Sequence, residues 1–169
     1  MSSTVKLYSL EFSNIKTYLF ASAFVVGNIA LPQLAHLMPQ GGLIFLPIYF
    51  FTLIAAYKYG IRVGLLTAIL SPLANNLLFG MPPAPMLPII LIKSSLLAVA
   101  ASMAAKYFGK VSILGIILAV LAYQIIGTGA EWVMTQSFVA AVQDIRIGFP
   151  GIILQIAGGF LVLKALERV

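Results

Sequence analysis

Two charged side chains lie inside long apolar stretches of the chain. Lys93 lies within residues 86–106 and Glu131 within residues 111–136. An isolated charge in apolar surroundings is expensive, so each must pair, reach water or bind an opposite charge. One interpretation is that the two side chains pair and hold their segments together, or that Lys93 extends its ammonium toward water. The other is that they recognise a carboxylate and an amine, hydroxyl or ring nitrogen on a ligand.

Polar side chains recur at a similar depth in four of the apolar segments. In one of them, Gln124, Thr128 and Glu131 are spaced by four and three residues, which places them on one helix face. Because buried polar groups need partners, their convergence predicts a small binding cavity. The candidate ligand-binding residues are His36, Asn75, Asn76, Lys93, Gln124, Thr128, Glu131, Trp132 and Gln155.

Two of these candidates have a simpler alternative role. Trp132 follows Glu131 and fits an aromatic belt at a membrane surface, with stacking on a ligand as the second interpretation. His36 lies just beyond Pro32, where a single histidine is usually structural but can also bind a ligand in either charge state.

The elements that must position these residues are transmembrane helices. The chain has 169 residues, of which 62% are hydrophobic and 8% charged, with a mean hydropathy of +1.08. A soluble domain is roughly 45–50% apolar. Since a crossing needs about 20 apolar residues, the chain is predicted to be a single all-α integral membrane domain. Its six predicted spans are residues 15–37, 43–57, 61–79, 86–106, 111–136 and 147–166.

The basic residues predict the orientation of this domain. Cytoplasmic loops retain Lys and Arg, so both termini are predicted to be cytoplasmic, in a prokaryotic plasma membrane, and the cavity is predicted to open outside. The positive charge belongs to loops, which argues against a nucleic-acid partner. The cytoplasmic basic residues would be Lys6, Lys16, Lys58, Arg62, Lys106, Lys110, Lys164 and Arg168.

Enzymatic chemistry is disfavoured by the motifs. The sequence has no G-x-S-x-G elbow, H-E-x-x-H helix or phosphate-binding glycine loop. With one histidine and no cysteine, neither a metal site nor a cofactor is expected. Six spans also leave no room for a domain that hydrolyses ATP, so energy for transport would come from a partner or a gradient.

Small residues mark one face of the first span. Ala23 and Gly27 are four residues apart and Ala30 follows. Such spacing permits close helix contact in a membrane. It indicates either internal packing or a docking face for another membrane subunit.

The chain resembles the substrate-binding S components of energy-coupling factor transporters, which are vitamin-uptake relatives of ABC importers. The resemblance covers essentially the whole chain in length, span count and loop placement. The residues that carry it are 42–47 (Gly-Leu-Ile-Phe-Leu-Pro), 59–73 (with Tyr59-Gly60, Gly64 and Ser71-Pro72), 78–83 (Leu-Phe-Gly-Met-Pro-Pro), Pro85 and Pro88.

The resemblance implies capture of a scarce micronutrient from outside, with the loops after the first and third spans closing over it. It implies docking to a membrane scaffold subunit and two cytoplasmic ATPases, followed by toppling in the membrane to release the ligand inside. In that family an Ala-x-x-x-Ala motif on the first helix contacts the scaffold, and the matching positions here are Ala23 and Gly27. Lys93 favours a ligand with a carboxylate, such as pantothenate, niacin, lipoate or an amino-acid-like compound.

Two other functions fit the same helices. A scaffold resembling the rod-shape protein MreD would have a pocket too shallow or too filled to enclose a ligand. A solitary secondary carrier would show ion-coupled uptake without an ATPase and an internal inverted repeat, which the sequence does not show.

Overall fold

The computed structural model describes residues 7–167, and within them every regular element is a helix. Five helical segments are long and apolar enough to cross a membrane. They are α1 (Ile15–Ala35), α4 (Ile61–Phe79), α5 (Leu87–Phe108), α6 (Ile113–Thr135) and the rod Phe149–Leu166. The predicted all-α fold is therefore confirmed in the described residues, and five of its helices have the length and composition of membrane spans.

Shorter helices complete the chain. The rod Phe149–Leu166 consists of α9 (Phe149–Ile153), a π-helical turn (Leu154–Gly158) and α10 (Gly159–Leu166). The other short elements are α2 (Gly41–Phe45), a 3₁₀ turn (Pro47–Tyr49), α3 (Phe50–Tyr59), α7 (Phe138–Ala141) and α8 (Gln143–Arg146).

The predicted second span differs most from the structure. Residues 43–57 do not form one helix, because the chain breaks at Leu46, which has a left-handed backbone with φ of 46°. Pro47 follows it and has no N–H to continue α2. The helix α3 has 10 residues and is roughly 15 Å long, half of a hydrocarbon core about 30 Å thick. A sixth crossing is not shown by this broken segment.

The short helix α3 lies in the middle of the bundle. Its residues from Thr52 to Tyr59 are all buried, and it packs against α1, α4, α5 and α10. Close approach to α4 depends on Gly64, because a Cβ there would overlap the side chain and backbone of Ala56. Small residues thus bring two helices together, as expected where lipid supplies no hydrophobic driving force.

The two ends of the bundle differ in character. The connections 36–46, 80–86 and 136–148 gather at one end, where they surround two hollows. At the other end, Lys58 Nζ donates to the carbonyl of Leu166 at 2.7 Å. The same end carries Lys16, Arg62, Lys106, Lys110 and Lys164 at helix termini or just beyond them. Lys6 and Arg168 lie outside the described residues.

Candidate functional site

Lys93 is clamped between two carboxylates. Its Nζ donates to Glu131 Oε2 at 2.5 Å and to Asp144 Oδ2 at 2.7 Å. The side chain of Lys93 is 1% exposed, that of Glu131 6% and that of Asp144 16%. We call these three residues the Lys93 triad. Lys93 and Glu131 therefore pair with each other, which is the first of the two interpretations drawn from the sequence.

Three elements position the triad. Lys93 projects from α5 and Glu131 from α6, while the four-residue helix α8 brings Asp144 from the connection 136–148. Gly127 makes room for the lysine, since a Cβ there would lie 2.7 Å from Lys93 Cγ. The lysine stem therefore runs directly along α6, and its ammonium meets Glu131 one turn farther on.

Asp144 is not among the ligand-binding candidates predicted from the sequence. It lies between apolar segments, in a stretch that was interpreted only as a connection. The sequence feature that could have indicated Asp144 is the small number of acidic residues. The chain contains four, which are Glu11, Glu131, Asp144 and Glu167. Asp144 is the only one of them between the last two predicted spans, which placed it on the same side as Glu131.

A second polar cluster lies between α6 and the π-helical turn. The hydroxyl of Tyr123 donates to Gln155 Oε1 at 2.9 Å and accepts from Gln124 Nε2 at 3.0 Å. Tyr49 packs its ring on Tyr123 with centroids 5.3 Å apart. Gln124 Oε1, Gln155 Nε2 and Thr128 Oγ1 are buried and have no hydrogen-bond partner among residues 7–167. The structure thus brings Gln124 and Gln155 together through a tyrosine that the sequence analysis did not select.

A third cluster joins α1, α3 and α4. Asn28 Nδ2 donates to Thr52 Oγ1 and to Ser71 Oγ, both at 3.1 Å. Asn75 Nδ2 donates to the backbone carbonyl of Asn28 at 2.9 Å. That carbonyl is the one that loses its helical donor to Pro32, four residues later. Asn75 therefore supplies the hydrogen bond that α1 lacks at Pro32. Asn28 is not among the candidates predicted from the sequence, although its position four residues before Pro32 indicates a backbone carbonyl without a helical donor.

The predicted cavity is not built by the deep polar residues. We expected Asn75, Lys93, Glu131 and Gln155 to surround one hollow, but they belong to three separate clusters. None of the four lines either hollow at the end of the bundle. Each of the four makes at least one hydrogen bond to a near neighbour inside packed protein, as buried polar side chains usually do.

The first hollow lies between the end of α1 and the start of α5 and has a volume of about 490 Å³. Its walls come from the connection after α1 and the connection after α4, and its lining is mostly apolar. His36 and Gln40 supply side-chain polar groups, and Ile90 lies on the α5 side. Asn76 supports one wall, because its Nδ2 donates to the carbonyl of Pro82 at 2.8 Å.

The second hollow, of about 590 Å³, lies beside the connection 136–148. Its polar lining includes Ser137, Gln143 and Arg146. Gln40 and Leu43 line both hollows, so the two cavities lie on either side of one short stretch of chain.

Trp132 lies outside this site. Its side chain is 52% exposed on the outer surface of the bundle, and its ring meets the edge of Phe138 at 5.4 Å between centroids. It lines neither hollow. This position agrees with the interpretation of Trp132 as a residue at a membrane surface.

The small residues of α1 do not act as one face. A Cβ at Gly27 would lie 2.8 Å from the ring of Phe51, so Gly27 serves packing against α3. Ala23 and Ala30 are exposed. They are seven residues apart and share one outward side of α1.

Comparison with known proteins adds no family assignment. No family model, no curated protein and no solved structure matches this chain. Within residues 7–167, no three His, Cys, Asp or Glu side chains are grouped in a way that could hold a metal ion.

Proposed function

We propose that this protein is the substrate-capturing subunit of an energy-coupling factor importer in a prokaryotic plasma membrane. The first hollow is the observation that carries the proposal. It lies between the connections after α1 and α4, the two loops that the resemblance to S components implies for closure over a ligand. Its volume of about 490 Å³ falls in the range of roughly 300–1,000 Å³ that is usual for small-molecule sites.

The charge distribution supports an outward-facing hollow. Basic residues collect at the end of the bundle opposite the hollows, and retained positive charge marks the cytoplasmic side. With this orientation the chain enters the membrane from the cytoplasm at α1. The broken segment 41–59, made of α2, the 3₁₀ turn and α3, then serves as the sixth crossing and returns both termini to the cytoplasm.

Transport by such a subunit depends on partners. The 169 residues contain no phosphate-binding glycine loop, so a membrane scaffold subunit and two ATPase subunits would supply the energy. The exposed Ala23 and Ala30 are the docking positions that α1 offers to the scaffold. Gly27 supports that face indirectly, because it lets α1 lie close to α3.

The lining of the first hollow defines what the captured compound must offer. A mostly apolar wall favours a compact apolar or ring-containing body, and His36 and Gln40 can form hydrogen bonds with one polar edge. These properties fit a vitamin or related micronutrient. The open hollow favours capture over a MreD-like scaffold role, for which a filled pocket was expected.

The test is to identify small molecules that co-purify with the protein in mild detergent, by native mass spectrometry. Ile90→Trp should fill the first hollow and reduce the bound compound by about tenfold or more, because a large ring replaces the ligand's space. Ile92→Trp is the matched control, since Ile92 lies on the same helix but outside the hollow. Absence of any bound compound, or equal occupancy in both variants, would refute capture in this hollow.

A further inference from the structure

We propose that Lys93 is the anion anchor of the capture site and that Asp144 occupies it in the empty protein. The captured compound is then a small carboxylate, which replaces Asp144 on Lys93 Nζ and releases α8. This inference rests on the proposed capture function and adds the chemical class of the ligand and the residue that it displaces.

The charges of the Lys93 triad are the first argument. One ammonium is bonded to two carboxylates, so the buried group carries one negative charge in excess. A Lys93–Glu131 pair alone would be balanced. Asp144 is therefore the carboxylate that the triad can exchange, because Lys93 stays paired with Glu131 while Asp144 leaves.

The two carboxylates are held very differently. Glu131 belongs to α6, a helix of 23 residues, and its side chain is 6% exposed. Asp144 belongs to α8, a helix of four residues, and its side chain is 16% exposed. Moving Glu131 would require moving a long packed helix, whereas moving Asp144 requires only a shift within the connection 136–148. Asp144 is thus the carboxylate that the ligand displaces from Lys93.

An exchange of carboxylates preserves the interactions of Lys93. The incoming group takes over the hydrogen bond from Nζ and the negative charge of Asp144, and the displaced Asp144 is hydrated at the end of the bundle. A neutral compound cannot do this, because its hydrogen bond to Lys93 Nζ is not charge-assisted and is therefore roughly half as strong as the bond to a carboxylate. The triad therefore discriminates between an acid and its uncharged analogue.

The second hollow provides the route to the triad. Gln143, which precedes Asp144, lines this hollow, and so do the exposed Arg146 and Ile147, two and three residues after Asp144. The triad lies behind this lining. Arg146 adds a positive charge that attracts an approaching carboxylate. The first hollow adjoins across Gln40 and Leu43. The wall of the first hollow includes Ile90, which lies one turn before Lys93 on α5. The first hollow therefore provides space for the apolar body of the ligand.

Matched pairs of an acid and its uncharged analogue test the exchange. Nicotinate, lipoate and pantothenate are compared with nicotinamide, lipoamide and panthenol by calorimetric titration of the detergent-purified protein. At least one acid should bind, and its uncharged partner should bind about tenfold more weakly or worse, since a charged hydrogen bond is lost. Equal binding within every pair, or binding of none of the acids, overturns the proposal.

Asp144→Asn tests the role of the displaced residue. This variant retains the balanced Lys93–Glu131 pair, so it should fold, and it removes the competing negative charge. Affinity for the bound acid should rise about tenfold, while affinity for the uncharged analogue stays unchanged. Glu11→Gln is the control, because it neutralises a carboxylate that pairs with Arg62 at the other end of the bundle. An unchanged or weakened affinity for the acid in Asp144→Asn contradicts displacement.

Release of α8 has an independent readout in this cysteine-free chain. Ala141 is fully buried beside α8, so the Ala141→Cys thiol should react slowly with a maleimide and faster when the acid is bound. The Ala98→Cys thiol, from a fully buried position in α5, should not respond. A co-purified compound without a carboxylate would overturn the exchange and leave capture standing, whereas the lack of any bound compound would refute capture itself.

Discussion

At the scale of single residues, buried polar side chains in this protein pair with buried charges or replace a missing backbone hydrogen bond. Lys93 forms ion pairs with two of the four acidic residues of the chain. Asn75 compensates for the hydrogen bond that Pro32 removes from α1. In both cases the partner comes from a different helix, so the hydrogen bond or ion pair holds two helices together.

The sequence could predict only part of these ties. Burial of Lys93 and Glu131 and the spacing of Gln124 and Thr128 follow from apolar runs and helix periodicity, and the Lys93–Glu131 pair was one of two stated alternatives. Asp144 was not predictable in the same way, because it lies on a helix of four residues, too short for periodicity to reveal. Which of several polar groups meet also depends on helix rotation, which apolar runs leave undefined.

The tie between Asn75 and α1 gives a prediction at this scale. Asn75→Ala should lower the free energy of unfolding by about 1–3 kcal/mol, because the carbonyl of Asn28 becomes a buried acceptor without a donor. In the Pro32→Ala background the same change should have a smaller effect, since residue 32 then donates to that carbonyl itself. A double-mutant cycle measured by denaturation in detergent checks this. Strictly additive effects would show that Asn75 does not compensate for Pro32.

At the scale of elements, the short helix α3 organises the bundle. Its position explains why it is buried on all sides while the longer helices expose apolar side chains such as Leu77 and Ile125 outward. The sequence predicted α1, α4, α5 and α6 because an uninterrupted apolar run is also an uninterrupted helix. It predicted residues 43–57 as one span, since an apolar run does not show that Leu46 adopts a left-handed backbone.

The contact between α3 and α4 provides a prediction for these elements. Gly64→Ala should lower the free energy of unfolding by about 1–3 kcal/mol, because the added methyl group overlaps Ala56 and forces the two helices apart. Gly129→Ala is the matched control in α6. Its Cβ would meet no atom within 4 Å, so it should be neutral or stabilise by about 0.5–1 kcal/mol. Equal effects of the two changes in thermal unfolding would contradict a tight α3–α4 contact.

At the scale of the whole molecule, the bundle is polarised along its axis. One end holds both hollows together with Asp144 and Arg146, and the other end holds the remaining basic residues in the described part of the chain, apart from the buried Lys93. The sequence predicted this asymmetry from loop composition. The resemblance to S components implies that the connections after α1 and α4 close over a ligand, and these connections line the first hollow. Of the polar residues predicted to bind a ligand, His36 lines this hollow, whereas Asn75, Lys93, Glu131 and Gln155 do not.

The polarity of the bundle predicts which end reacts from outside the cell. Because the natural chain contains no cysteine, single substitutions report their own positions. Ala84→Cys lies in the connection after α4, and Lys110→Cys lies just beyond the end of α5 at the basic end. Both positions are exposed. A membrane-impermeant maleimide should label Ala84→Cys in intact cells, and Lys110→Cys only after permeabilisation, since positive charge is retained in the cytoplasm. The reverse pattern would place the hollows inside the cell and would be incompatible with capture from the medium.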